Sequence, residues 1–450
     1  MKRKIYRQLV AWKAGSAGRQ ALLIEGARRI GKSYIVRQFA TEAYQSCVWI
    51  DFTKVDETVK NIFNNYLTHL DDFFLLLSNY YQINLFPRQT IFVFDEVQNF
   101  PRAREAIKTL VEDGRFDYIE TGSLISLRQN VQNILIPSGE RKIAMYPFDF
   151  EEFLWARGDN SLMQLITQYF ERREAIPAAL HRRALDRWRE YLIVGGMPES
   201  IATYIQTRDF VAVDAIKRDI IGLYRDDIRK FAAGLNLKAE RFFDDIPGQL
   251  NSLDKKFTWT SLGDNARFRD YESALVWLDD AKLINPCYNT FEPNIGLHFH
   301  RDSSDFKCFL GDTGLLLSLA FDSETLFQEA IYRKILFDKL TFNYGMIVEN
   351  AVAQMLVASG HRLYYYKRND REDTDNNMEV DFLLTKRGVT SRHNIIPIEV
   401  KSGQKITLTS LTKFRKKFRN YASKPVVLYP GELRDEQEAT YLPLYMTPCL

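Results

Sequence analysis

The sequence predicts an α/β chain with a nucleotide-binding parallel sheet at its N-terminal end, and three observations predict it. An apolar run, Ala21-Leu22-Leu23-Ile24, leads through a glycine loop into the amphipathic stretch Tyr34 to Ala40. A second apolar run, Thr90-Ile91-Phe92-Val93-Phe94, ends in the acidic pair Asp95-Glu96. Helix-like and strand-like patterns alternate again beyond Tyr344. Strands separated by helices are the pattern of a sheet covered on both faces.

The glycine loop is Gly26-Ala27-Arg28-Arg29-Ile30-Gly31-Lys32-Ser33. Its glycines permit main-chain conformations in which successive N–H groups wrap a phosphate, at the positive end of the following helix. Sitting between strand and helix, it is a Walker A loop in its required context and predicts binding of ATP or GTP. In that reading Lys32 reaches the β- and γ-phosphates and Ser33 ligates Mg²⁺. Asp95 and Glu96 complete a Walker B pair, Asp95 holding Mg²⁺ through water and Glu96 polarising the attacking water.

Further strands are expected at Cys47 to Phe52 and at Tyr118 to Glu120. Ser123, just beyond the latter, either senses the γ-phosphate from the end of a strand or caps the next helix. Arg141 reads as a sensor, as an arginine finger for a neighbouring active site, or as an exposed loop arginine.

At 450 residues the chain is too long for one core. The expected divisions are residues 1–150 for the nucleotide-binding core, 151–215 for a helical lid, 216–290 for a helical, winged-helix-like domain and 291–450 for a C-terminal α/β domain. The net charge of +3 is too small to require a nucleic-acid partner, so the local distribution of charge has to decide. Cys47, Cys287, Cys308 and Cys449 lack paired spacing, which argues against a zinc site or a disulfide framework and suits a reducing cytoplasm. No stretch approaches the ~18 apolar residues of a spanning helix, so no membrane partner is expected.

Between Glu151 and Tyr204 the pattern is helical, broken by Gly195-Gly196-Met197-Pro198, as a lid would be. Residues 258–288 read as helix, turn, helix and strand, the order of a winged helix-turn-helix. Its second helix carries Glu272, Asp279 and Asp280 against Lys282, which would repel phosphates, so a structural or protein-contacting wing is favoured.

The C-terminal third carries a separate constellation. Tyr344 to Leu356 is an amphipathic helix containing Glu349, and Leu363 to Tyr366, Glu379 to Leu384 and Ile395 to Lys401 read as strands. Alternation puts Glu399 and Lys401 on one strand face. A helix Glu, a strand Asp and Glu-x-Lys match the PD-(D/E)xK nuclease pattern of a restriction-endonuclease-like domain. Asp381 and Glu399 would coordinate Mg²⁺, Lys401 would orient or activate water, and Glu349 would complete the shell. A nuclease fold that keeps these residues without turnover fits the same pattern. From Lys386 to Lys424, Glu399 is the single acid among many lysines and arginines, densest at Leu411 to Arg419. That helix is either a solvated basic face or a contact for DNA phosphates.

Five segments, Gly26 to Ser33, Phe94 to Pro101, Thr121 to Leu124, Met145 to Leu154 and Tyr191 to Glu199, together resemble a prokaryotic family of AAA-type ATP-binding proteins. Its members pair an AAA-like domain with a C-terminal domain of unknown function, and the resemblance spans essentially the whole chain. It implies a P-loop core of the additional-strand, conserved-glutamate type, with ATP preferred over GTP. The expected function is that of an ATPase, with ATP and Mg²⁺ as cofactors, whose nucleotide state controls a DNA-interacting nuclease-fold domain. The competing expectation is an ATP-dependent signalling or scaffolding switch, with an inactive nuclease-like tail that binds a protein partner or a further copy of the chain.

Overall fold

A computed structural model describes residues 1–16, 18–122, 139–232, 234–252, 254–294, 296–321, 325–337, 344–370, 376–386 and 393–450. The chain divides into two units, Met1–Tyr146 with Asp280–Lys282, and Pro147–Asp279 with Leu283–Leu450.

The first unit runs α1 (Ile5–Ser16), β1 (Ala21–Glu25), α2 (Lys32–Ala43), β2 (Ser46–Asp51), α3 (Glu57–Asn65), α4 (Leu70–Tyr81), β3 (Thr90–Asp95), α5 (Pro101–Asp113), β4 (Asp117–Gly122) and β5 (Glu140–Ala144). Its sheet has the order β2-β3-β4-β1-β5, every pair parallel. β1, β3 and β4 are buried at every position, which is why β1 and β3 read as apolar runs and not as alternating ones, whereas β4 buries Asp117, Glu120 and Thr121 among its apolar residues. β4 lies between β1 and β3, so the sheet has the additional strand that the resemblance implied. Phe63, Phe73, Phe74, Phe92 and Phe94 pack into one apolar cluster on this sheet. Each such ring contributes about 1.5–3 kcal/mol through burial.

Arg141 is not in a loop. It sits in β5 beside Leu22 of β1, exposed on the edge of the sheet. An edge strand whose two buried side chains are Ile143 and the charged Glu140 shows no apolar run, so its sequence does not announce it.

The second unit begins with α6 (Phe150–Ala156), α7 (Asn160–Arg172), α8 (Ala178–Val194), α9 (Pro198–Thr207), α10 (Phe210–Phe231), α11 (Asn236–Asn251) and α12 (Phe268–Asp280). The break between α8 and α9 is tightly packed: a Cβ on Gly196 would stand 2.2 Å from the Phe148 carbonyl oxygen. Then come β6 (Ile284–Thr290), β7 (Arg301–Leu310), α13 (Thr313–Ala320), α14 (Thr325–Leu336), α15 (Tyr344–Ala358), β8 (Tyr364–Arg368), β9 (Met378–Val380), β10 (Phe382–Thr385), β11 (Ile395–Val400), α16 (Thr409–Lys417), β12 (Val426–Tyr429), β13 (Arg434–Asp435) and β14 (Thr440–Pro443).

Two sheets form here, β7-β6-β8-β9 and β10-β11-β12-β14-β13. β6 pairs antiparallel with β7 and parallel with β8. A division at residue 290 therefore cuts a hairpin, and the wing-like strand belongs to the sheet of the C-terminal strands. The polar start of β7, Arg301 to Ser304, is exposed and hid this pairing from sequence patterning. The strand expected over Glu379 to Leu384 is split at Asp381. β9 pairs with β8 before it and β10 with β11 after it, so Asp381 stands at the joint between two sheets. Among the described residues no helix is long and apolar enough to cross a membrane.

Candidate functional site

In the first unit the glycine loop joins the buried end of β1 to the first residue of α2. Gly31, at φ 90°, occupies the left-handed region just before the helix, where a side chain would be strained. Gly26 has no room for one, because a Cβ would lie 2.3 Å from the Met145 carbonyl oxygen. Arg3 is buried and donates to the carbonyls of Ile30 (2.9 Å) and Tyr146 (2.5 Å), tying the loop to the end of β5. Nothing in the basic N-terminal stretch marked Arg3 for that role.

Lys32 is buried, and its Nζ donates to the carbonyls of Gly26 and Ala27 at 2.9 Å each, so its charge lies at the centre of the loop. Arg28 and Arg29 are the exposed residues of the loop. Ser33 Oγ donates to Asp95 Oδ1 at 2.9 Å, and Thr121 Oγ1 donates to the same oxygen. Two hard oxygens, one from each Walker segment, thus meet at one point, and they fit Mg²⁺. Glu96, next along the chain, adopts φ 53° and begins a turn of 3₁₀ helix. A non-glycine residue there costs about 1–2 kcal/mol. Its backbone N–H points to Thr121 Oγ1 at 3.4 Å, and Gln98 donates to its carboxylate.

Ser123 lies outside the described residues. Thr121, two positions earlier at the same strand end, is the polar residue that touches Asp95. The signal for it was present in the Thr121-Gly122-Ser123 run.

A buried charged cluster lies on one face of the same sheet. Arg104 of α5 is 2.8 Å from Glu140 and 3.6 Å from Glu120. Burial pushes the Glu120 carboxyl up to about 8, against the attraction of Arg104, and Glu140 adds to the rise.

In the second unit the predicted acids do converge, around a residue that sequence reasoning missed. Lys307 of β7 is fully buried, and its Nζ lies 2.9 Å from Glu379, 3.3 Å from Glu349 and 3.4 Å from Asp381. Lys255 also pairs with Glu349, and Lys367 with Glu379 at 2.9 Å. Asp381 Oδ2 accepts from the Val400 N–H at 2.9 Å, and Lys401 holds Glu399 at 2.6 Å. Burial would raise Asp381, but attraction by Lys307 and Lys255 outweighs it and holds the carboxyl below its ordinary range. Burial and then the Asp381 charge push Glu399 up to about 8 despite Lys401. Burial works against the Lys307 ammonium, yet Glu349, Asp381 and Glu379 hold it well above the ordinary lysine range. A lysine between Phe306 and Cys308 in an apolar half-strand was the available signal.

The set expected to ligate Mg²⁺, namely Glu349, Asp381 and Glu399, does not fit a divalent ion. Lys255 and Lys307 hold Glu349, Lys307 and the Val400 N–H hold Asp381, and Lys401 holds one oxygen of Glu399, whose other oxygen is buried without a hydrogen-bond partner, so one carboxylate oxygen of the three is left for an ion. Among the described residues no three His, Cys, Asp or Glu side chains are arranged to hold a metal.

The basic helix, α16, divides its charges. Lys413 and Lys417 reach Asn377 and Asn376, whereas Arg415, which donates to the Glu438 carbonyl at 3.4 Å, Lys416 and, just beyond the helix, Arg419 line a cavity of about 450 Å³ with Leu408, Leu411 and Ala439. Arg387 and Arg392 lie outside the described residues.

Three family models match the chain in order. Residues 18–154 match the AAA domain, 185–325 a domain of unknown function, DUF8612, and 344–447 another, DUF4143. No curated protein matches. Similar solved structures include the Walker-type ATPase of Pyrococcus abyssi, 16% identical with a TM-score of 0.40, covering 71% of this chain and 95% of that one. The Orc1 protein of Aeropyrum pernix, solved in complex with DNA, is 11% identical with a TM-score of 0.27, covering 73% and 95%. Cdc6p from Pyrobaculum aerophilum is 12% identical with a TM-score of 0.24, covering 74% and 93%. Residues 18–154 carry an AAA-type P-loop domain; the nuclease pattern of the C-terminal strands rests on the residues alone.

Proposed function

We propose that the protein is an ATPase whose nucleotide state governs a C-terminal, nuclease-like domain that holds DNA through its phosphates without cutting it. The observation that carries the first half is the meeting of Ser33 and Asp95 above a loop centred on Lys32. The loop N–H groups and Lys32 bind and orient the triphosphate, and Glu96 holds the water in line with the γ-phosphorus. Mg²⁺, bound through Ser33 and Asp95, would neutralise charge on the phosphate oxygens. Ser123 remains a candidate γ-phosphate sensor and Arg141 a candidate finger for another copy.

The second half rests on the Lys307 ammonium standing among Glu349, Glu379 and Asp381, which supports retention of the nuclease-like fold without its metal, and on the exposed cations Arg415, Lys416 and Arg419. The PD-(D/E)xK roles of Asp381, Glu399 and Lys401 become positioning roles in this reading. Phosphate release should vanish in Lys32→Ala; unchanged turnover sinks the ATPase. Fluorescence anisotropy with labelled duplex, in ADP and in a non-hydrolysable ATP analogue, should show two affinities and a steep salt slope. Equal, salt-insensitive binding or none sinks the DNA half in favour of a protein-binding switch. Incubation of linear and branched DNA with Mg²⁺ or Mn²⁺ should yield no products; cleavage lost in Asp381→Ala would restore the nuclease.

A further inference from the structure

Lys307 stands where three carboxylates from separate elements converge: Glu349 from α15, Glu379 from β9 and Asp381 from the joint between the two sheets. Its side chain has no exposed surface, and its ammonium also lies 5.1 Å from the Tyr365 ring centre. Lys255 is different. It reaches Glu349 from the segment after α11, keeps 28% of its side chain exposed, and has a left-handed backbone, φ 39°.

We propose that the Lys307 ammonium is the built-in cation of this domain, occupying the point at which a divalent ion would otherwise be bound, with Lys255 as a peripheral second cation. The geometry supports this. A dipositive ion shared by Glu349 and Asp381 would have to sit beside the buried Lys307 ammonium that already lies 3.3 and 3.4 Å from them, and like charges brought together in a buried site are strongly disfavoured. Entry of the ion would require expulsion of a lysine, and Lys307 has no path to solvent comparable to that of Lys255. The inference rests on the reading of the domain as non-cleaving, and it adds that the cluster is a metal-independent pin joining β7, α15 and the two sheets.

The test uses the full-length protein without nucleotide, in an Asp95→Asn background to silence the other cation site. Mn²⁺ uptake is read from the free-ion electron paramagnetic resonance signal, and stability from thermal unfolding. The parent and its Asp381→Asn variant should take up the same amount of Mn²⁺, with no Mn²⁺-dependent rise in Tm. Lys307→Ala should melt on the order of 10 °C lower. It should gain one Mn²⁺ that restores part of the loss, and the Lys307→Ala/Asp381→Asn double variant should not. Lys255→Ala should gain no ion.

A parent that binds an Asp381-dependent Mn²⁺ overturns the proposal, as does a folded Lys307→Ala that gains none, or an ion gained on removing Lys255 alone. If Lys307→Ala does not fold, the comparison of parent with Asp381→Asn decides by itself. Failure of the DNA reading would appear in anisotropy and leave these Mn²⁺ results unchanged.

Discussion

Ser33 Oγ lies 2.9 Å from Asp95 Oδ1, joining the residue that closes the phosphate loop to the acid that ends β3, although their strands are not neighbours. β4 runs between β1 and β3, and its Thr121 donates to the same Asp95 oxygen. The additional strand thus supplies the hydroxyl that orients the acid.

Thr121→Val should weaken Mg²⁺ dependence. Removing a hydrogen-bond donor behind a metal-binding carboxylate typically lowers metal affinity 10–100-fold. The Mg²⁺ concentration giving half-maximal ATP hydrolysis should rise by about that factor, with little change in global unfolding. Thr121→Ser should restore it. An unaltered Mg²⁺ curve in Thr121→Val would mean that Ser33 alone sets the geometry of Asp95.

Glu96→Gln should separate binding from chemistry. The amide keeps the size of the side chain and a carbonyl that can accept from Gln98, while losing the negative charge that polarises water. Fluorescent ATP analogues should bind within a few-fold of the parent affinity, and phosphate release should fall by about 10²–10⁴. Lys32→Ala, by contrast, should lose both, because the charge at the centre of the loop is gone.

The nucleotide site was legible because its spacing is covalent. Eight consecutive residues and one strand end carry the chemistry, and the buried strands β1 and β3 betray themselves as apolar runs. The polar edge strand holding Arg141 had no such run. The C-terminal cluster was half legible: Glu349, Asp381, Glu399 and Lys401 do meet, but what they meet around depends on Lys307, brought in by a hairpin whose outer half is solvent-exposed. Whether acids face a metal or an ammonium is a property of tertiary packing, and no spacing within the acids themselves reports it.

Stability should fall with rising pH through the Glu120 carboxyl. In the folded state burial, opposed by Arg104, pushes it up to about 8, whereas an unfolded glutamate titrates near ~4.3. Between these values the native state keeps a proton that the unfolded chain has released, so this group costs stability progressively as pH rises and the cost is complete above about 8. Glu120→Gln removes the titration and leaves Arg104 its 2.8 Å contact with Glu140. Urea unfolding at pH 5, 6.5 and 8 should show the variant gaining on the parent at each step. A difference that is constant or shrinking over that range would place the proton elsewhere in the cluster.

Within α16 the charges should not be equivalent toward DNA. Lys413 and Lys417 donate to Asn377 and Asn376 beside β9, so their ammonium groups are partly committed within the domain. Arg415 gives one of the five N–H groups of its guanidinium to the Glu438 carbonyl at 3.4 Å, and Lys416 and, two residues past the helix, Arg419 are exposed on the same cavity. Each phosphate neutralised releases condensed counterion, so losing one such contact should lower the slope of log affinity against log salt by about 1. Arg415→Ala, Lys416→Ala and Arg419→Ala should each do so for duplexes of unrelated sequence, because contacts to the backbone carry no base information. Lys413→Ala and Lys417→Ala should change the slope less, the lost charge having been held against an asparagine. Anisotropy titrations at several salt concentrations measure both quantities. Equal slopes across all five variants would show that the helix acts as a diffuse positive field, whereas an unchanged slope in the three rim variants would remove α16 from the DNA contact altogether.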